Sequence, residues 1–283
     1  MENEKTELLK YDEINSKYGN KYRLYEAYKI SPKDIYFLMR YIFTSFGYPT
    51  MKINTKKLFS KKISDAEFYI ILRHSYENDM AKCKKNADSV ARKYISHKIT
   101  FVKDIVNKSI PDFTCDKILD VGTEDNNFLL AITEIFNCPA VGLNIESGFS
   151  HYGTYEESIK AGNIHLYDGV NFPFKDNEFS LVMLFHVIHH VDNFDGFMEN
   201  LCRVSQNLYI KDNDCIDENT YNQICVQHEL YEGILTPSET SPVKCISTAT
   251  ITSSLEKYGF SVVYYKLKNN FTRSFHMVAS KKM

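Results

Sequence analysis

From residue 115 onward, short apolar runs alternate with longer segments of helical periodicity. The apolar runs predict strands near 117–121, 140–145, 164–167, 180–185, 207–211, 260–266 and 275–280. The segments between them predict helices near 127–137, 154–161, 194–204, 221–233 and 247–258. Strand, helix and strand in succession build a parallel sheet, whereas the short polar link before the last strand makes that strand antiparallel. The pattern therefore predicts an α/β fold with a seven-stranded doubly wound sheet.

The first 110 residues show a different, mainly helical pattern. Ser31 can act as an N-cap before Pro32, and Gly47 can end that helix. Residues 64–67 have the spacing of a capping box before an apolar run. A further helical pattern covers 87–108 and ends before a proline. We therefore predict a helical N-terminal region over residues 1–110 and a Rossmann-like domain over residues 111–283.

Charge is distributed unevenly between these two regions. The net charge is −2, but residues 31–110 contain 16 Lys and Arg against 7 Asp and Glu, which gives +9. Residues 111–283 contain 12 against 23, which gives −11. A basic segment beside an acidic one indicates an anionic partner, with nucleic acid as the leading candidate. A solvated basic helix face is the alternative reading of the same charges.

Composition narrows the class of protein. Apolar residues make up 43% of the chain and aromatic residues 14%, which is enough for a large core. No apolar run approaches the length of a membrane-spanning helix, and the charged N-terminus lacks the apolar stretch of a secretory signal. The seven cysteines form no CxxC pair, and their odd, scattered set favours a reducing compartment over a disulfide framework. We therefore expect a cytoplasmic protein without membrane contact.

Four polar residues fall at the ends of predicted strands, at the edge where open α/β sheets bind their ligands. They are Asp120, Asn144, Glu146 and Asp168. This placement indicates a nucleotide-like ligand. No G-x-G-x-x-G motif follows the first strand, which argues against a dinucleotide.

Three motifs carry a family resemblance over residues 115–283: "ILDVG", "AVGLNIES" and "DGVNFPFKDNEFSLVMLFHVIHHV". This region resembles class I S-adenosylmethionine-dependent methyltransferases, and the third motif is the most specific. The resemblance implies the strand order 3-2-1-4-5-7-6 and S-adenosylmethionine as the cofactor. The cofactor-binding residues that it implies are Asp120, Gly122, Asn144, Glu146, Asp168, Gly169, Phe185 and His186.

Each implied role has a physical reason. Asp120 would pair with the ammonium group of the cofactor, and Gly122 would let the backbone approach it. Asn144 or Glu146 would bind the ribose hydroxyls, and Asp168 would accept from the adenine amino group. The glycine-rich turn of the family is not complete here, because Glu124 and Asn126 follow Gly122.

Candidate catalytic residues follow the fifth predicted strand. Lys211 ends this strand, Asp214 lies on the loop, and His228 lies on the next predicted helix. Such a set could orient or deprotonate a hydroxyl or amine. We predict no metal site at His186, His189 and His190, since no carboxylate has clear ligand spacing with them.

These observations favour an S-adenosylmethionine-dependent methyltransferase that acts on RNA, at a cap or another 5′ end, through the basic N-terminal region. Two alternatives stay open: a small-molecule O- or N-methyltransferase, and a catalytically inactive scaffold or regulatory subunit. The segments Tyr209–Cys215 and Cys225–Glu232 add a weaker resemblance to predicted methyltransferases of large DNA viruses. The sequence leaves the oligomeric state open.

Overall fold

The structure is a computed structural model that describes residues 87–123, 126–145, 159–235, 243–269 and 272–282. Several predictions fall outside these ranges. They are the helix from Ser31 to Gly47, the capping box at 64–67, most of the helix near 154–161, and the side chains of Glu124 and Glu146.

The described residues form seven strands and five helices in the predicted alternation. The strands are β1 Ile118–Val121, β2 Ala140–Ile145, β3 Ile164–Tyr167, β4 Leu181–Phe185, β5 Asn207–Asn213, β6 Phe260–Asn269 and β7 Arg273–Lys281. The helices are α1 Ala87–Ser109, α2 Asn126–Phe136, α3 Phe194–Val204, α4 Glu218–Leu235 and α5 Thr248–Lys257. A short 3₁₀ turn, Ile188–His190, follows β4. Asn193 caps α3 and Ser247 caps α5 through their side-chain oxygens.

The sheet has the order β3-β2-β1-β4-β5-β7-β6, which confirms the predicted fold class. Strands β1 to β5 pair in parallel, whereas β7 pairs antiparallel with both β5 and β6. The chain reverses its direction of growth at β1, which lies between β2 and β4. Ligands of open α/β sheets bind at this switch point, outside the carboxyl ends of the strands.

Apolar side chains alternate between the two faces of the sheet. On one face, Val182 and Leu184 of β4 join a buried cluster with α3 and α5. On the other face, Leu181 and Met183 join a cluster with α1 and α2. This period-two alternation buries both faces, as expected of a three-layer α/β sandwich.

The chain divides into two compact units. One comprises Ile95–Tyr221 and Ser241–Met283, and it contains the whole sheet. The other comprises Met1–Tyr94 and Asn222–Thr240. The division falls inside α1 and α4, so residues 95–109 of α1 belong to the unit of the sheet.

Four cysteines pair as disulfides, which corrects the expectation drawn from their scattered spacing. Cys115 pairs with Cys138, and Cys215 pairs with Cys245. Sequence separations of 23 and 30 residues conceal both pairs, because crossovers of the parallel sheet bring distant segments to the same edge. Within the described ranges, every helix is too short or too polar to cross a lipid bilayer.

Candidate active site at the carboxyl edge of the sheet

The turn after β1 requires the glycine that the sequence provides. Gly122 has a φ of +75°, and a Cβ atom built on it would lie 2.6 Å from Cγ2 of Val187. Its N–H donates to the carbonyl oxygen of Leu143 at 2.8 Å. The backbone of β1 is therefore drawn against β2 and packed under the residues that follow β4, in a conformation that other residues rarely adopt.

Asn144 braces this turn from the neighbouring strand. Its side chain is buried, and Nδ2 donates to the carbonyl oxygen of Thr123 at 2.9 Å. Its Oδ1 accepts from the N–H of Ile145 at 3.0 Å. The adjacent Gly142 leaves room for Thr123, since a Cβ there would lie 2.2 Å from the Thr123 methyl group. The amide thus holds β1 and β2 together at a position that the resemblance assigns to the ribose hydroxyls.

Asp168 organises the turn after β3. Its Oδ1 accepts from the N–H groups of Val170 at 2.9 Å and Asn171 at 2.7 Å. Its Oδ2 accepts from Nδ2 of Asn171 at 2.6 Å. The backbone N–H of Asn171, then that of Val170, holds the pKa of Asp168 below its usual range, so the exposed group is an anion at neutral pH. The carboxylate is fixed in direction and retains acceptor capacity toward solvent.

An apolar shelf lies beside this carboxylate. Ile145 ends β2 with 40% of its surface exposed, although it is a large aliphatic side chain. A Cβ on Gly169, whose φ is +89°, would lie 3.9 Å from Cγ2 of Ile145. A flat ring resting on this shelf could place an amino group toward Asp168. The edge of β2 and β3 therefore fits the nucleoside part of the implied cofactor.

Asp120, Phe185 and His186 continue the same edge. Asp120 is buried in β1 beside Gly142 of β2 and Met183 of β4. Phe185 ends β4 and packs edge to face on Phe128 of α2, with centroids 5.2 Å apart. His186 has a φ of +60° and donates its N–H to the carbonyl oxygen of Lys211 at 2.8 Å. A left-handed histidine at a strand end is uncommon and is typical of functional edges.

Lys211 lies on β5 between Phe185 of β4 and His276 of β7. It is partly buried. Burial, together with the positive charges of Lys98 and Lys268, lowers its pKa to about 7, against a small opposing effect of Asp212. The charged form of Lys211 is therefore disfavoured at this edge of the sheet.

The predicted strand 207–211 ends too early, because Asp212 lies within β5 and pairs with a histidine after β4. Its Oδ2 accepts from the N–H of Ile188 at 2.8 Å, and its Oδ1 pairs with Nδ1 of His189. Burial acts to raise the pKa of Asp212, but His189 and the backbone donors hold it below its usual range. His186, His189 and Asp212 offer ligand atoms within 4.8 Å of one another. The contacts of Asp212 with Ile188 and His189 fix the 3₁₀ turn that carries the "HVIHH" motif.

The other two catalytic candidates lie in different settings. Asp214 is buried and accepts from Nε of Arg273 at 2.6 Å and from the N–H of Thr248 at 2.8 Å. These contacts tie the end of β5 to β7 and to the start of α5. His228 lies on α4, in the segment that belongs to the other compact unit. The catalytic roles of Asp214 and His228 stay predictions.

Residues 119–207 match a family described as a methyltransferase domain. The match runs from β1 to the start of β5, and Asp120, Gly122, Asn144, Asp168 and Phe185 lie inside it. The search of curated proteins finds no match.

Solved structures with a similar chain include magnesium protoporphyrin IX methyltransferase from Synechocystis PCC 6803 with bound SAH. It is 14% identical with a TM-score of 0.44, over 86% of this chain and 98% of that one. A SAM-dependent methyltransferase from Aquifex aeolicus is 17% identical with a TM-score of 0.37, over 65% and 97%. One from Methanosarcina mazei is 13% identical with a TM-score of 0.43, over 62% and 96%.

Proposed function

We propose that the chain is a class I S-adenosylmethionine-dependent methyltransferase that methylates RNA, at a cap or another 5′ end. The match of residues 119–207 to a methyltransferase domain supports the methyltransferase activity. The observation that carries the RNA proposal is the charge of residues 31–110, which is +9 against −11 for residues 111–283. A basic segment gains affinity for a polyanion by releasing condensed counterions. The net negative charge of residues 111–283 repels RNA, so the basic segment would be the part that binds the RNA.

Residues at the carboxyl edge of the sheet would bind the cofactor. S-adenosylmethionine supplies, when bound, a methyl group that its positive sulfur has already activated. Asp120 would pair with the ammonium group, and the glycine turn at Gly122 would let the backbone approach the methionine portion. Asp168 would accept from the adenine amino group, and Ile145 would support the ring beside Gly169. Glu146 stays a candidate for the ribose, since Asn144 is engaged in bracing the turn.

The chain's own residues mainly need to align the acceptor with the methyl group. Lys211 is placed to orient the acceptor, because it pairs in register with Phe185 at the end of β4. Asp212 acts as a positioning residue, since its contacts with Ile188 and His189 fix the turn after β4. Asp214 and His228 are retained as proposed participants in proton transfer.

The test is a tritiated-methyl transfer assay across capped RNA, uncapped RNA, protein and metabolite pools. We expect label in RNA, and we expect binding to weaken steeply with salt. Changing Lys56, Lys57, Lys61 and Lys62 to Glu should weaken RNA binding further and leave binding of S-adenosylhomocysteine intact. Label that enters only the metabolite pool would contradict the RNA proposal.

A small anionic acceptor is a second candidate, because a partly buried cation, Lys211, lies among aromatic rings at the edge. This candidate predicts that changing Lys56, Lys57, Lys61 and Lys62 to Glu leaves the rate of methyl transfer unchanged. An inactive scaffold is tested separately: calorimetric titration with S-adenosylhomocysteine would then show no heat.

A further inference from the structure

One row of side chains crosses four strands at the carboxyl edge. Phe185 of β4 pairs with Lys211 of β5, which pairs with His276 of β7, which pairs with Lys266 of β6. Residues paired directly across strands share one face of the sheet, and Lys268 lies two residues beyond Lys266 on that same face. Three strand lysines therefore lie on the face that packs against α1 and α2.

A fourth lysine reaches the row from α1. Nζ of Lys98 lies 3.9 Å from the ring centroid of Phe185 and 4.9 Å from that of Phe128. Nζ of Lys268 lies 5.7 Å from the ring centroid of Phe101, which also belongs to α1. Aromatic faces stabilise these cations only weakly compared with a carboxylate.

The two strand lysines nearest His276 form no ion pair with a described carboxylate. Among the described residues, no carboxylate lies within ion-pair distance of Lys211 or Lys268. Burial lowers the pKa of Lys268, and the charge of Lys266 lowers it further. Asp212 follows Lys211 directly but is engaged with His189 on the other side of the strand. Within the described ranges, Lys211 and Lys268 thus place positive charge in a partly buried region without an ion pair, which is costly unless a ligand supplies the counter-charge.

His276 adds a buried ring nitrogen to this row. Its side chain is buried, with 4% of its surface exposed. Its Nδ1 is 2.6 Å from the hydroxyl oxygen of Tyr209. Burial raises the pKa of Tyr209, so the hydroxyl keeps its proton and is able to donate it to Nδ1.

With the Tyr209 hydroxyl as the donor to Nδ1, the ring proton of His276 resides on Nε2. Burial, with the charges of Lys268 and Lys211, lowers the pKa of His276 to about 3, so the ring is neutral at ordinary pH. Nε2 is buried and has no hydrogen-bond partner within the described part of the chain. A buried N–H without an acceptor is rare and costly, and it calls for an explanation. Lys268 and Lys211, which lower the pKa of His276, are also the positive charges that surround its ring.

We propose that Lys211, Lys268 and the Nε2–H of His276 bind an oxyanion, a phosphate or a carboxylate, of the methyl acceptor. Two cations and one N–H donor supply the counter-charge and hydrogen bonds that such a group needs. The rings of Phe185 and Phe101 flank it on the sheet side and the α1 side. That the anion belongs to the acceptor rests on the proposed function; the existence of the anion site does not.

The test uses the full chain saturated with S-adenosylhomocysteine and isothermal titration with three probes. Sulfate represents a phosphate group, benzoate represents an aromatic carboxylate, and a short 5′-phosphorylated RNA is compared with its 5′-hydroxyl form. We expect at least one oxyanion to bind, and Lys211→Met and Lys268→Met each to weaken it about tenfold or more. The matched control is Lys282→Met, an exposed lysine outside the row, which should change affinity less than about twofold.

The tightest probe identifies the source of the anion. A preference for sulfate and phosphorylated RNA indicates a nucleic-acid phosphate, whereas a preference for benzoate indicates a carboxylated small molecule. Nitrogen-15 spectra of labelled histidine add a local readout, since binding should shift Nε2 of His276. Equal affinity in wild type, Lys211→Met and Lys268→Met, or no oxyanion binding to the wild type, would overturn the proposal.

The two proposals fail in different ways. Binding of S-adenosylhomocysteine is measured in a separate titration without the probes. Oxyanion binding that persists without binding of S-adenosylhomocysteine would refute the methyltransferase function and leave the anion site intact. If the protein binds S-adenosylhomocysteine but no oxyanion, the anion site is refuted and the methyltransferase function is not.

Discussion

At the ends of β2 and β3, polar side chains form hydrogen bonds within the chain, whereas the lysines near the ends of β5 and β6 form no ion pair with a described carboxylate. Asn144 binds the carbonyl of Thr123 and the N–H of Ile145, and Asp168 binds the turn that follows it. Lys211 and Lys268 have aromatic rings or a second lysine as neighbours, and no described carboxylate forms an ion pair with either.

The contrast separates two ways of preparing a binding edge. Internal hydrogen bonds fix the direction of a polar group before any ligand arrives, so that half is preorganised at little cost. Charges without partners lower the stability of the protein and gain energy only when a ligand compensates them. The two halves should therefore respond oppositely to substitution: the first loses stability, and the second gains it.

The largest expected effect concerns the preorganised half. Gly122→Ala imposes a left-handed φ on a side chain and a contact of 2.6 Å with Val187. Strain and overpacking together should cost about 2–4 kcal/mol of the free energy of unfolding. Binding of S-adenosylhomocysteine should fall sharply as the turn moves. Chemical denaturation and titration calorimetry measure the two effects.

Two variants separate strain from contact. Gly259→Ala has the same strain, at a φ of +82°, but no atom lies within 4 Å of the added Cβ. It should cost only about 1 kcal/mol. Val187→Ala added to Gly122→Ala should recover part of the loss. Equal losses for both glycines would mean that Val187 does not press on the turn.

The next effect concerns the carboxylate beside the apolar shelf. Asp168→Ala removes the acceptor proposed for the adenine amino group and should weaken binding of S-adenosylhomocysteine by about 1–3 kcal/mol. Calorimetry measures the dissociation constant. The control is Asp176→Ala, an exposed carboxylate that pairs with Arg203, which should leave this affinity unchanged. Unchanged affinity in Asp168→Ala would remove the residue from the cofactor site.

Sequence patterns predicted the sheet well because each strand carries its own signal. Strands β2 and β3 have the bounds that the apolar runs predicted, and α5 ends within one residue of the predicted end at 258. Apolar alternation and helix stops are local properties, so they can be read without knowledge of tertiary contacts.

The site was harder to predict because its groups are defined by contacts across strands. Nothing near Asp212 in the sequence indicates His189, and nothing near His276 indicates Lys211. The cysteine pairs were missed for the same reason. Asn144 could be identified from sequence as a candidate ribose ligand, but only the structure shows its bond to Thr123.

The cationic half should show the opposite response. Lys211→Met keeps the length of the side chain and removes a partly buried charge that burial and two lysines disfavour. Without ligand, the free energy of unfolding should rise by about 0.5–2 kcal/mol at neutral pH. Thermal and chemical denaturation measure the gain. A loss of stability would show that the lysine already has a counter-charge.

The gain should also depend on pH with a defined sign. The folded-state pKa of Lys211, about 7, lies below that of the unfolded chain, so the unfolded state binds more protons between these values. The penalty that Lys211 imposes is full below about pH 7 and fades as pH rises toward the unfolded pKa of about 10.4. The advantage of Lys211→Met should fade over the same range.

The smallest effect is proton uptake on binding of an oxyanion. The groups that surround Lys211 are Lys98 on α1, Lys266 and Lys268 on β6, His276 on β7 and Asp212 on β5. His276 has a pKa of about 3 and does not titrate near neutrality, so a bound anion acts chiefly by raising the pKa of Lys211. Affinity should therefore fall as pH rises above about 7, with uptake of up to about one proton per anion bound.

The measurement uses whichever of sulfate and benzoate binds more tightly, since neither titrates near neutral pH. Titrations in two buffers of different ionisation enthalpy give the number of protons taken up. In Lys211→Met the uptake should vanish while residual binding to Lys268 and His276 persists. If proton uptake persists in Lys211→Met, the titrating group is another lysine of the row. The contrast between the two halves would then not depend on Lys211.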